Sequence, residues 1–208
     1  MSEVMTYDQE VEALPLRFES EEAFEAWCDE DIRAEYLNGK VIMHCPAGAD
    51  HEDEVMWVGP LLRFFIDQHV LGRLFGSNVQ IRLQPGKRRV PDLVFVAKER
   101  LEIIRPTYLD GAPDLVVEFV SDDSTVRDWR EKYWEYEAAG VKEYWVIDRR
   151  LKRMDLNILG EDQKYAAAEA PEGKLFSKVL PGFWLKPEWL WQQPLPSVVV
   201  MAREIGIL

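Results

Sequence analysis

Cysteine is nearly missing from this sequence: Cys28 and Cys45 are the only two. With no CxxC spacing they build no disulfide framework, and a reducing cytoplasm is the expected compartment. Histidine is as scarce, at positions 44, 51 and 69, and these five residues match no zinc spacing. No apolar run approaches the roughly 18 to 20 residues of a membrane span, so no membrane partner is expected. The opening stretch MSEVMTYDQEVEALP has no apolar signal-peptide core, and nothing suggests export. Excess positive charge is lacking too. The formal net charge is -13, which argues against tight, sequence-blind binding to nucleic acid. That deficit is local, because residues 1–60 hold 16 Asp/Glu against 3 Lys/Arg and residues 61–208 hold 22 of each sign. A surface facing nucleic acid elsewhere is therefore not excluded.

What is present suits a well-packed domain. The 208 residues are 47% hydrophobic and 12% aromatic, ample for a core. SEEAFEAWCDE predicts a short helix capped by Ser20. IRAEYLNGKVIMHC alternates around Asn38-Gly39, the strongest short signal for a β-hairpin. Val55, Val58, Leu61, Leu62, Phe65, Ile66 and Val70 form the stripe of a helix over 51–70. GSNVQIRLQPG reads as a strand ending at Pro85-Gly86, followed by a basic turn, Lys87-Arg88-Arg89. Residues 125–139 form a second helix, with Ser124 or Thr125 as cap and Gly140 as stop. KEYWVID and LKRMDLNIL read as strands, the latter opening an antiparallel ribbon. The expected class is α+β, a mostly antiparallel sheet flanked by helices with a C-terminal β-ribbon. The expected division is an acidic segment at 1–15, a domain at 16–190, and a tail at 191–208 packing on that domain or on a partner.

The tetrapeptide PDLV occurs twice, opening apolar runs at Asp92 and at Asp114. The stretch between the runs is short and holds Pro106, Gly111 and Pro113, so an antiparallel pair is expected rather than a helical crossover. Residue numbers that sum to 210 then face each other, and Asp92 meets Glu118 while Asp114 meets Val96. Asp114 and Glu118 lie roughly 13 Å apart along one strand, too far to share an ion. Asp92 and Glu118 come within about 5 Å across the ladder. Carboxylates that close repel unless a cation sits between them. Mg²⁺ (or Mn²⁺) with its oxygen ligands fits that place. Asp after Pro at a strand start also caps turns, and that reading is preferred for Asp114. Lys132 lies at the edge of the second helix's apolar stripe. Its stem can snorkel toward the sheet, or it can pair with Asp128 one turn away.

VPDLVFV, the Glu118 strand GAPDLVVEFVS, and RDWREKYWEYEAAGVKEYWVID together resemble the PD-(D/E)xK nuclease superfamily. With RAEYLNGKVIM and His51 ahead of a helix they look most like its Uma-type family of restriction-endonuclease-like proteins, over about residues 16 to 190. The resemblance implies an αβββαβ core and Mg²⁺-dependent phosphodiester hydrolysis. It places the metal on Asp92 and Glu118 and the catalytic lysine at Lys132. The superfamily's usual lysine position, two residues after the Glu, is Val120 here. Glu35 matches an acidic position of the family, though a solvated strand Glu fits equally. His51 is a further accessory candidate, or a helix-start residue with a structural hydrogen bond. Lys87, Arg88, Arg89, Arg127 and Arg130 are candidate phosphate contacts. The expected function is a cytoplasmic, metal-dependent DNA endonuclease, with a homodimer as its assembly. The alternative is a catalytically degenerate nuclease-fold module for binding or oligomerisation, for which GFWLKPEWLW offers aromatic material.

Overall fold

The computed structural model describes residues 17–29, 31–44, 46–120 and 127–208. The segment 1–15, the cap at Ser124 or Thr125, and the side chains of Arg127 and Asp128 lie outside the described residues.

Helix α1 (Glu21–Trp27) begins at Ser20, whose hydroxyl accepts the Ala23 amide at 3.1 Å. Phe24 is the residue this helix buries, stacked at 4.9 Å on Tyr36. Strands β1 (Ala34–Leu37) and β2 (Lys40–Met43) form the expected hairpin. Asn38 and Gly39 both take positive φ, 48° and 92°, which matches the right-handed twist of the flanking strands. Helix α2 (Ala49–His69) buries Val55, Val58, Leu61, Leu62, Phe65 and Ile66. The chain then runs through β3 (Gly72–Phe75), β4 (Gln80–Gln84), β5 (Lys87–Arg89), β6 (Leu93–Ala97), β7 (Tyr108–Asp110) and β8 (Leu115–Phe119). A π-helical turn over Arg127–Glu131 leads into α3 (Lys132–Ala139), which Gly140 closes in the left-handed conformation. Strands β9 (Glu143–Asp148), β10 (Arg153–Leu159) and β11 (Tyr165–Ala167) follow, then α4 (Pro187–Leu190) and α5 (Val198–Ile205).

Two main sheets result. One has the order β11-β10-β9-β8-β6-β3 and the other β2-β1-β5-β4-β7. The fold is α+β and restriction-endonuclease-like, mainly antiparallel. Two pairs are parallel, β4 with β7 and β8 with β9, the second joined through α3. Strands β6 and β8 pair antiparallel with Leu93 opposite Val117, Val94 opposite Val116 and Phe95 opposite Leu115. That is the register in which paired numbers sum to 210.

Period-two alternation sorts the side chains of the central strands onto two faces. Leu93, Phe95, Leu115, Val117, Phe119, Trp145 and Ile147 join the cluster built on α2, to which α5 adds Met201, Ala202 and Ile205. Val94, Val96, Val116, Tyr144 and Val146 join a second cluster with Tyr136 of α3. Both faces of β8 are buried, hence its apolar composition, which Glu118 alone interrupts. Glu118 belongs to the second set by parity, so its carboxylate points to the side that α3 covers. The aromatic C-terminal stretch is core: Phe183 is buried, and Trp189 packs edge-on to Trp57.

One expectation fails. Lys87-Arg88-Arg89 is not an exposed basic turn but strand β5, paired with β4 and with β1. Pro85-Gly86 alone makes the turn, with Gly86 at φ 80°. The strand carries its charges because carboxylates from α1, β1 and α3 meet them.

Candidate active site

Continuing the β6–β8 register by one residue sets Asp92 opposite Glu118. The Phe119 amide donates to Asp92 Oδ2 at 2.8 Å, which anchors the aspartate to the neighbouring strand. Asp92 is 5% exposed. His51 Nε2, from the first turn of α2, lies 3.2 Å from Oδ2, and Arg33 Nη2 lies 3.4 Å from Oδ1. Burial alone would raise the Asp92 pKa, but the His51 and Phe119 hydrogen bonds and the Lys132 charge carry it below the ordinary value. Burial likewise opposes charge on His51, yet Asp92 raises the imidazole pKa above its usual level.

Glu118 is also buried. Its Oε1 accepts from Lys132 Nζ and from the Tyr136 hydroxyl, each at 2.8 Å. Lys132 and Tyr136 stand four residues apart on α3 and so share one face of it. The lysine stem crosses the core boundary and delivers its ammonium to the strand that carries the glutamate. Tyr136 is fully enclosed; burial and the adjacent Glu118 charge hold its hydroxyl protonated, with a pKa well above the ordinary one.

Glu35 is fully buried rather than solvated. Arg89 Nη1 lies 2.6 Å from its Oε2, while His44 Nε2 and Lys132 Nζ lie 3.5 and 3.9 Å from Oε1. Desolvation works against this carboxylate, but Lys132, His44 and Arg89 outweigh it and push its pKa far below the usual range. Lys132 thus bridges two acids, Glu118 closely and Glu35 at longer range.

The structure brings Asp92, Glu118, Lys132, Glu35 and His51 into one network. Of the basic strand only Arg89 reaches that network, through Glu35. Lys87 pairs with Glu135 at 3.1 Å, and Arg88 with Glu21 at 2.7 Å and Glu25 at 2.9 Å. Arg89 is divided between Glu35 and Glu135. Arg88 and Arg89 are buried against these carboxylates, and phosphate contact through them is a reading the structure corrects. Arg130 is exposed. Sequence reasoning missed Arg33, whose contact with Asp92 spans 59 positions and leaves no local pattern. It did not single out Tyr136, although the i,i+4 spacing from Lys132 was visible.

Among the described residues, no group of three or more His, Cys, Asp or Glu converges as a metal cluster. Asp92 and Glu118 offer two carboxylates at facing positions of neighbouring strands. Such a pair fits a hard divalent cation that keeps several waters and takes few protein ligands.

A family model described as "Putative restriction endonuclease", Uma2, matches residues 21–188. The chain belongs to the Uma2 family. The matched span includes Glu35, His51, Asp92, Glu118 and Lys132. A crystal structure described as a "putative nuclease belonging to DUF820" from Anabaena variabilis ATCC 29413 is similar in fold, with a TM-score of 0.69 at 15% identity. The match covers 82% of this Uma2-family chain and 96% of that one. No curated protein matches. No helix among the described residues is long and apolar enough to cross a membrane.

Proposed function

We propose that this Uma2-family protein is a Mg²⁺- or Mn²⁺-dependent endonuclease that hydrolyses phosphodiester bonds in DNA. Asp92 and Glu118 would hold the cation, with the backbone carbonyl region at Phe119 and waters completing its shell. When bound, the cation neutralises phosphate charge and makes water a better nucleophile. Lys132, steadied by Glu118 and Glu35, orients the attacking water and offsets charge that develops on the phosphate oxygens. The Phe119 amide and His51 fix the orientation of Asp92, so its carboxylate needs little rearrangement as the reaction proceeds. Arg130 and Arg127 remain candidate phosphate contacts. A homodimer that cuts two strands with two subunits is the assembly we propose by analogy of fold; light scattering on the purified chain checks it.

The observation that carries this reading is the 2.8 Å contact between Lys132 and Glu118, on the strand beside Asp92. A lysine in that role need not follow the glutamate by two residues if a helix returns one to the same carboxylate. Plasmid nicking with Mg²⁺ or Mn²⁺ tests the proposal. Asp92→Ala and Glu118→Ala should each abolish cleavage, and undiminished nicking by both would sink it.

A further inference from the structure

A cleft of about 860 Å³ lies beside the site, between the edge strands of the two main sheets. Arg33 joins the two places, since it lines the cleft and also touches Asp92. The cleft contains two arginine–aromatic pairs from separate sheets. The Arg73 guanidinium lies 4.8 Å from the Phe75 ring centroid on β3, and that of Arg88 lies 4.4 Å from the Tyr108 ring centroid on β7. Guanidinium planes and aromatic rings are the surfaces on which unpaired bases stack. Arg73 is exposed and makes no salt bridge among the described residues, so its charge remains available to a phosphate. Arg105, also exposed, lines the cleft beside β7, where it pairs with Asp110 at 3.3 Å.

Size and charge narrow the ligand further. A volume of this order is roughly 10 Å on a side, less than the ~12 Å width of a B-DNA major groove alone. Four arginines in the lining face three acids, so counterion release from many phosphates is not the main source of affinity. Stacking is, and it tolerates a chain of strongly negative net charge.

We infer that this cleft receives unpaired nucleotides of the strand being cut, stacked on the Arg73–Phe75 pair and on the Tyr108 ring that the buried Arg88 holds in place, so that the preferred substrate is single-stranded or locally unpaired DNA. The inference rests on the nuclease reading for the words "being cut"; the binding itself does not.

The test uses the full chain in EDTA, so that no cleavage contributes. A fluorescein-labelled 12-nucleotide single strand of mixed sequence, and the same sequence as duplex, are titrated by anisotropy. The single strand should bind at least about tenfold more tightly than the duplex. Phe75→Leu keeps apolar volume but removes the ring, and should weaken single-strand binding on the order of tenfold. Arg73→Ala should weaken it and make its salt dependence shallower by about one phosphate contact. Both positions are partly or fully open to solvent, and unchanged melting temperatures would show that both variants fold. Equal affinity for duplex, no measurable binding of either probe, or full single-strand affinity in both variants overturns the inference. A wild-type chain that binds through Phe75 but cuts nothing with Mg²⁺ or Mn²⁺ sinks the nuclease reading and leaves the cleft standing. Variants that bind and cut like wild type sink the cleft alone.

Discussion

At one end of the β6–β8 ladder Asp92 accepts a hydrogen bond from the Phe119 amide at 2.8 Å, and at the other end Asp114 accepts one from the Ala97 amide at 2.8 Å. Each aspartate follows the proline of its PDLV, is buried and takes an arginine: Arg33 on Asp92, Arg100 on Asp114. Strand entry is therefore a job both perform. They part at the residue across the ladder. Glu118 faces Asp92, and with it come Lys132 and, through Lys132, Glu35. Val96 faces Asp114, whose remaining needs are met by Lys142 at 2.7 Å. The same tetrapeptide thus gives one aspartate a second carboxylate across the ladder, and gives the other cationic partners without one. Local sequence assigns the backbone role, and the cross-strand neighbour assigns the chemistry.

The largest expected break in this comparison is catalytic. Asp92→Ala should remove metal-dependent nicking, whereas Asp114→Ala should leave the turnover of the folded fraction unchanged. The Asp114 variant should instead lose about 3 kcal/mol of stability, since it strands Arg100 and the Ala97 amide; urea unfolding reads this directly. Lys132→Met should cost roughly a hundredfold or more in cleavage rate, the range for one preorganised group that meets developing charge.

Metal-linked stability separates the two ends next. Mn²⁺ at about a hundred times its Kd should stabilise wild type by about 2.7 kcal/mol, and so raise its melting temperature by several degrees. Asp114→Asn should keep that increment, and Asp92→Asn should lose it. A wild-type chain with no shift at millimolar Mn²⁺ would favour a non-catalytic binding module over the nuclease.

The smallest effect is on acid sensitivity. Desolvation would raise the Asp114 pKa, but Lys142, the Ala97 amide and Arg100 hold it below the ordinary value. The unfolded chain therefore takes up this proton first as pH falls below about 4. The stability that Asp114 contributes is present above that pH and is lost as pH drops through the lowered folded value. Urea midpoints between pH 6 and pH 2 should fall less steeply for Asp114→Asn than for wild type.

Much of this was readable from particular residues. Pro106, Gly111 and Pro113 spoke against a crossover helix between the two apolar runs, and the antiparallel pair expected in its place has the register in which paired numbers sum to 210. Asn38-Gly39 specified its hairpin because both residues tolerate the positive φ that the turn requires. Lys132 stood at the edge of an apolar stripe, where a long stem reaches back toward a sheet. Lys87-Arg88-Arg89 was misread because three cations in a row look solvated until their partners are known. Those partners, Glu21, Glu25, Glu35 and Glu135, come from three separate elements. The parallel pairing of β8 with β9 was equally silent, since both faces of β8 are buried and alternation does not reveal the direction of a neighbour.

By itself the sequence determined the Asn38-Gly39 hairpin, the main helices, the antiparallel β6–β8 pair and hence which acid faces Asp92, because these follow from short-range periodicity and turn chemistry. Tertiary structure decided which face of β8 receives α3, which buried arginines are already neutralised, and where Arg33 stands between Asp92 and the neighbouring cleft. Those are contacts between residues far apart in the chain. Coulomb attraction and desolvation act through space, and only the packed arrangement of the two sheets sets the distances on which they depend.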